Sequence, residues 1–222
     1  YGENYATTNR KSQIKDSIAD RTPLGIDPVI INPEYIYIVP SITTYYDKTS
    51  TTVSESQIQS DIRAATLAYS SNNLERFNNK LRYSKFIRSL DNITTGSILN
   101  NDVSISLEKR VVPNISKSER LLLNFNNKIR KGTLSSTEFT YQNFPAYLDD
   151  DSLGNVNIYR YNDAKVKTNI ITNAGTVDYD TGQVEVNAFA PTAFADTQLK
   201  VSITPDRFDV IPVREQILIM DS

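Results

Sequence analysis

Along this chain the spacing of apolar and polar positions changes period several times, and each change marks an element. Tyr35-Ile36-Tyr37-Ile38-Val39-Pro40-Ser41-Ile42-Thr43-Thr44-Tyr45-Tyr46 is dense in aromatic and β-branched residues, which suit a pleated, half-buried surface, and predicts a strand. Pro40 has no N–H to give to a central ladder, so this strand is expected at a sheet edge or bulged at that residue. A polar run over 47–52 turns the chain. Ser54, with Gln57 three residues on, has the pattern of a capping box. Ile58, Ile62, Ala65 and Tyr69 then fall at i, i+4, i+7 and i+11, a single helical stripe expected to end within 70–73.

After Leu74 a second helical pattern carries Leu81, Tyr83, Phe86, Ile87 and Leu90, with Arg76, Lys80, Arg82, Lys85 and Arg88 among them. Asp91, Asn92 and Thr94 to Gly96 break it. Over 98–112 the period returns to two: Val103, Ile105 and Leu107 alternate with Asp102, Ser104, Ser106 and Glu108, so one face is buried and the other wet.

Either side of this block the signals are shorter. Residues 1–22 are polar, with helix-compatible spacing only through Ile14 and Ile18, and predict a short helix or arm that docks on something else. Pro23, Gly25, Pro28 and Pro33 punctuate an extended segment in which Val29-Ile30-Ile31 predicts a strand. Tyr1 in place of Met suggests a processed product or a piece of a longer chain. Pro, Asn and Ser cluster over 113–118, the best internal boundary. Beyond it the chain reads as β-rich. Residues 121–129 alternate imperfectly, 139–144 offer a short aromatic strand, and Val156 and Ile158 alternate with Asn157, Tyr159 and Tyr161. The clearest hairpin is Thr176-Val177-Asp178-Tyr179, turn Asp180-Thr181-Gly182, then Gln183-Val184-Glu185-Val186, with Gly182 supplying a positive φ. Strands over 199–204 and 210–220 close the sheet. The expected fold class is α+β: an arm or linker over 1–27, an α+β domain over 28–113 and a β-rich domain over 119–222.

Composition removes whole classes of chemistry. The 222 residues include no Cys and no His, which excludes disulfides, thiol catalysis and thiolate sites, and removes the usual general base and the commonest transition-metal ligand. No apolar run approaches the ~20 residues that span a bilayer. Net charge is −2, but residues 1–137 hold 18 Lys and Arg against 13 Asp and Glu, whereas 138–222 hold 6 against 13. That asymmetry is either solvated charge or a basic face that meets an acidic face of a neighbouring subunit.

Three constellations invite chemistry. Asp149-Asp150-Asp151-Ser152-Leu153-Gly154-Asn155 begins like a calcium loop, yet Leu153 and Arg160 stand where the motif wants an oxygen ligand and a bidentate Glu; an ordinary acidic turn is the better reading. Asp178 and Asp180 have the look of an acid–base pair, without other support, and read as hairpin surface. The basic residues over 76–88 come with no nucleic-acid module and read as a solvated face or a subunit contact. Phe77, Tyr83 and Phe86 are most simply core, with interface as the alternative. The candidate interface is Arg76, Phe77, Lys80, Tyr83 and Arg88. No catalytic, cofactor-binding or metal residue is assigned, and no small-molecule substrate, nucleic acid or membrane partner is expected.

Asn32-Pro33-Glu34-Tyr35-Ile36-Tyr37, Ser71-Asn72-Asn73-Leu74-Glu75-Arg76-Phe77, Phe86-Ile87-Arg88-Ser89-Leu90-Asp91-Asn92, Ile98-Leu99-Asn100-Asn101-Asp102-Val103 and the tail segment Pro212-Val213-Arg214-Glu215-Gln216-Ile217-Leu218 resemble the baseplate wedge proteins of contractile-tailed bacteriophages and their baseplate J-like domain. The resemblance implies a non-enzymatic structural subunit of the virion tail baseplate, assembled in the host cytoplasm. Its implied partners are itself, as a dimer or ring around the tail tube, and other wedge and tail proteins, with baseplate rearrangement relayed to the sheath. A carbohydrate-binding or adhesin-type β module with exposed Tyr rings is the alternative.

Overall fold

The computed structural model describes residues 5–19, 21–23, 26–93, 98–115 and 117–221; Gly25 and the expected helix break at Thr94 to Gly96 lie outside them. In chain order the elements are α1 (Thr8–Ala19), β1 (Glu34–Tyr46), α2 (Glu55–Asn73), α3 (Tyr83–Asp91), β2 (Ile98–Val111), β3 (Glu119–Asn124), β4 (Ser135–Ser136), β5 (Phe139–Tyr141), β6 (Phe144–Asp150), β7 (Asn155–Tyr161), β8 (Lys167–Asp178), β9 (Gln183–Phe189), β10 (Ala193–Phe194), β11 (Leu199–Ile203) and β12 (Gln216–Met220). The fold is α+β, dominated by one large mixed sheet of order β12-β1-β2-β11-β4-β6-β7-β8-β9-β3, with β5 on β6 and β10 on β5.

β1 pairs in parallel with β12 from Glu34↔Gln216 to Ile38↔Met220 and antiparallel with β2 from Tyr37↔Glu108 to Tyr46↔Ile98. Pro40 lies just past the end of the β12 ladder, so its missing N–H faces a side where no described strand asks for it. The irregularity in this strand falls at Tyr45/Tyr46 rather than at Pro40. α2 opens as the capping pattern requires on one side only. The Ser54 hydroxyl accepts from the Gln57 N–H, but the Gln57 amide reaches forward to Asp61 (2.9 Å) instead of back to the cap.

The second helix is shorter than its periodicity suggested. Leu81 belongs to no helix: its N–H donates to the Val210 carbonyl (3.0 Å) and its carbonyl accepts from the Val210 N–H (3.2 Å), an isolated antiparallel bridge. α3 begins only at Tyr83, whose N–H is taken by the Asp209 carboxylate at 2.8 Å. Both partners sit more than 120 residues downstream, so the local pattern had no means of showing them. The span between α2 and α3 turns on positive φ at Glu75 (34°) and Asn78 (65°).

Val29 to Ile31 is also not a strand. Pairing of β1 starts at Glu34, where Gln216 is available, and no described strand lies beside the preceding segment. α1 forms where a short helix was expected and buries none of its residues. β6 and the first half of β8 were not foreseen.

One buried cluster joins Ile36, Tyr69, Leu81, Phe86, Leu107, Leu148, Val184, Leu199 and Met220, with α2 and α3 on that side of β1 and β2. It passes across the 113–118 segment, because β11 pairs with β2. On the other face of β1 and β12, Tyr37, Ile217 and Ile219 form a second small cluster beneath Tyr35. The buried Gln216 amide donates to Glu34 and to the Asn124 carbonyl (both 3.1 Å), tying the two ends of the strand order together.

Candidate functional site

The turn between α2 and α3 sets out most of the predicted interface. Arg76, Phe77 and Lys80 lie on it and are exposed, and Arg88 is exposed in the last turn of α3. Phe77 keeps 52% of its surface in contact with solvent, so the reading of this ring as core does not hold. Positive φ at Glu75 and Asn78 swings the ring outward, toward a groove of about 450 Å³ that it lines with Ile31, Pro33, Asn78, Arg214 and Glu215.

Tyr83 faces inward instead. Its hydroxyl donates to the Val103 carbonyl at 2.6 Å and its ring lies 5.0 Å from Phe208, so it braces α3 against β2. Burial raises its pKa above the usual tyrosine value. Sequence reasoning missed Phe208, Asp209 and Val210, which together fix the start of α3. An Asp between two large apolar residues was the only local signal, and it resembles an ordinary strand.

Charge separation along the chain is partly consumed inside it. Arg82–Asp209 (3.5 Å), Arg120–Glu185 (2.5 Å), Lys128–Asp180 (2.7 Å) and Arg110–Asp221 each join a residue of the basic part to one of the acidic part. Solvent screens the exposed pairs, which therefore add little to stability. Arg76, Lys80, Lys85 and Arg88 take part in none of the ion pairs among the described residues, and they all lie between α2 and the end of α3.

Most carboxylate oxygens of the suspected calcium loop are committed to the protein. Asp149 pairs with Lys167 through Oδ2, while its Oδ1 is buried without a hydrogen bond among the described residues. Asp150 accepts from the N–H groups of Gly132 (2.7 Å) and Leu134 (2.9 Å) and from the Tyr179 hydroxyl (2.6 Å). Asp151 accepts from the Asn155 side-chain amide (2.7 Å) and from the N–H of Asn155 (3.0 Å) and of Leu153 (2.8 Å), which holds its pKa low and closes the turn. Calcium or EDTA should therefore leave Tm unchanged in a thermal melt; a calcium-dependent rise of several degrees would revive the site. Asp178 accepts from the Asp180 and Thr181 N–H groups and Asp180 pairs with Lys128, so both belong to the hairpin.

Tyr147, Tyr159 and Tyr161 pack on one another with ring centroids 5.6 to 5.9 Å apart. A hydrogen bond to Glu138 and burial push the Tyr147 hydroxyl up to about 12, and burial with a hydrogen bond to Tyr161 does the same for Tyr159. Burial, followed by the Asp150 contact, also raises Tyr179. These folded values lie above the ordinary 10, so the stabilisation is complete below pH 10 and is lost as pH rises through the folded values. Denaturant unfolding between pH 9 and 12, with phenolate absorbance followed in parallel, should show a steady loss of stability over about pH 10 to 12. Flat stability across that window would disprove the contribution.

The family model for the baseplate structural protein gp6, C-terminal domain III, matches residues 34–110, which take in β1, α2, α3 and nearly all of β2. The chain is also 26% identical over 148 residues to baseplate wedge protein gp6 of Enterobacteria phage T4. That alignment covers 67% of this chain and 22% of the phage protein, so the chain spans about a fifth of its relative. The chain is therefore similar to the gp6-type baseplate wedge proteins, and the segment matched by the domain III model begins at Glu34 and carries Arg76, Phe77, Lys80 and Arg88.

Proposed function

We propose that this chain is a structural, non-catalytic part of a phage tail baseplate wedge, located in the virion tail and assembled in the host cytoplasm. The observation that carries the proposal is the gp6 domain III match over 34–110. Copies associate with each other and with other wedge and tail proteins into a ring around the tail tube, and the ring passes baseplate rearrangement to the sheath. Residues 28–113 serve as its α+β, baseplate J-like unit and 119–222 as a β-rich unit. Arg76, Phe77, Lys80 and Arg88 make subunit contacts, with Tyr83 bracing the helix behind them. Support for this comes from an exposed Phe and four exposed cations within residues 76–88 that no described carboxylate pairs, since aromatic and basic side chains anchor protein interfaces.

Sedimentation of the chain alone and mixed with neighbouring tail proteins tests the reading. The expected result is at least a dimer alone and a larger complex in the mixture. Association should slow as ionic strength passes about 0.1 M, where the Debye length falls to ~10 Å. A strict monomer that binds no tail protein would leave the carbohydrate-binding reading in front. The cluster of Tyr147, Tyr159 and Tyr161 favours that second reading, and glycan binding abolished by Tyr161→Ala would establish it.

A further inference from the structure

Among the described residues there is a strand-type segment without a sheet and a sheet edge without a strand. Ile26-Asp27-Pro28-Val29-Ile30-Ile31 is rich in β-branched residues, yet Ile26, Val29 and Ile31 are 61%, 77% and 57% exposed and no described strand pairs with them. The helix before it buries nothing, and a 12-residue helix without tertiary packing is marginal in water. The arm is tied to its own chain by the Lys15–Asp27 ion pair (2.7 Å) and the Tyr5–Tyr35 ring contact (5.7 Å), which are polar or peripheral.

The open edge is the second half of β1. The β12 ladder ends at Ile38, whose carbonyl accepts from the Asp221 N–H, and beyond it β2 is the only strand among the described residues that flanks β1 as far as Tyr46. Between this edge and α2 runs a groove of about 200 Å³ lined by Pro40, Ile42, Gln59, Ile62, Arg63 and Thr66. Ile42 and Ile62 are half-buried within it. An exposed edge beside apolar side chains is a template for strand addition.

We propose that residues 26–31 of one copy add as an extra strand to the β1 edge of a second copy, with Val29 and Ile31 seated in the groove against α2. The proposal rests on the assembly reading above and names the contact that reading leaves open. Chain length rules out the same pairing within one copy. Ile31 precedes Glu34 by three residues and so lies at most ~11 Å from it, whereas the open edge begins at Val39, ~17 Å along β1. Pro28 fits an edge strand, where its missing N–H breaks no inner ladder. Reciprocal exchange closes a dimer, and head-to-tail exchange closes a ring.

The test uses the absence of cysteine from this chain. An Ile30→Cys variant is mixed with Ser41→Cys, Thr43→Cys or Tyr45→Cys, positions on the exposed side of the β1 edge, and the mixture is oxidised. Neighbouring strands bring cross-strand Cα atoms within disulfide range, so one of the three mixtures should give a cross-linked dimer that neither variant gives alone. In parallel, Val29→Asp with Ile31→Asp should weaken association at least tenfold while leaving Tm unchanged, since both side chains are already exposed. Unchanged association by the charged variant, with no cross-link at any of the three positions, overturns the strand addition and leaves the assembly reading standing. A chain that stays monomeric and binds no tail protein overturns both.

Discussion

Phe86→Ala is expected to destabilise the fold by about 3–5 kcal/mol, the range for removing a buried aromatic ring and leaving a cavity. Phe86 is fully buried on α3, its ring 5.2 Å from that of Tyr69 on α2, so it joins the two helices as well as packing them on the sheet. Leu81→Ala should cost about 2–5 kcal/mol for the same reason, because Leu81 is fully buried and held in place by its bridge to Val210. Ile62→Ala and Ile87→Ala should cost less, since both side chains are half-buried at the margin of the cluster. Urea unfolding of the four variants gives the comparison. A loss below about 0.5 kcal/mol for Phe86→Ala would place the ring outside the core.

These four residues also show which parts of the fold the sequence could reveal. Period and capping are local, so the α2 stripe, the start of that helix at Ser54, the alternation in β2 and the hairpin turning at Gly182 were all readable. Gly182 adopts φ +78° and its N–H donates to the Asp178 carbonyl at 2.9 Å; the turn takes in Tyr179 as well, one residue more than expected. Leu81 has helical spacing relative to Phe86, Ile87 and Leu90 but sits in a bridge, because Val210 claims its backbone. Phe77 looks like core by composition, and only the positive φ values beside it put the ring outside. Asp150 reads as one of three turn carboxylates, although it is buried and serves as the acceptor for donors from two separate segments, 132–134 and Tyr179. For Leu81 and Asp150 the deciding partner is distant in sequence, and for Phe77 it is the backbone conformation of its neighbours. Among the candidate interface residues, the exposure of Arg76, Lys80 and Arg88 was legible because Arg and Lys need no partner to be placed, whereas the inward turn of Tyr83 depended on Val103 and Phe208.

Gly175→Ala is expected to cost at least about 3 kcal/mol, at the upper end of what overpacking brings. Gly175 is buried in β8, opposite Val156 on one side and Val186 on the other. The β7–β8 register shifts between Val156 and Ile158, where β8 carries extra residues and Asn173 takes φ +58°. This bulge presses the following residue against β9. A Cβ on Gly175 would stand 1.8 Å from the Glu185 carbonyl oxygen and 2.8 Å from the Val186 Cα. All of these are backbone atoms, so no side chain can swing aside. Relief requires β8 and β9 to separate, which opens the ladder from Gly175↔Val186 to Asp178↔Gln183 and exposes Val177, Val184 and Val186. Thermal and urea melts of Gly175→Ala should therefore show a large loss of stability, and hydrogen exchange should show faster opening in β8 and β9 than in β1 and β2. A variant within about 1 kcal/mol of the parent would mean that the bulge, rather than the strand pairing, absorbs the extra methyl group.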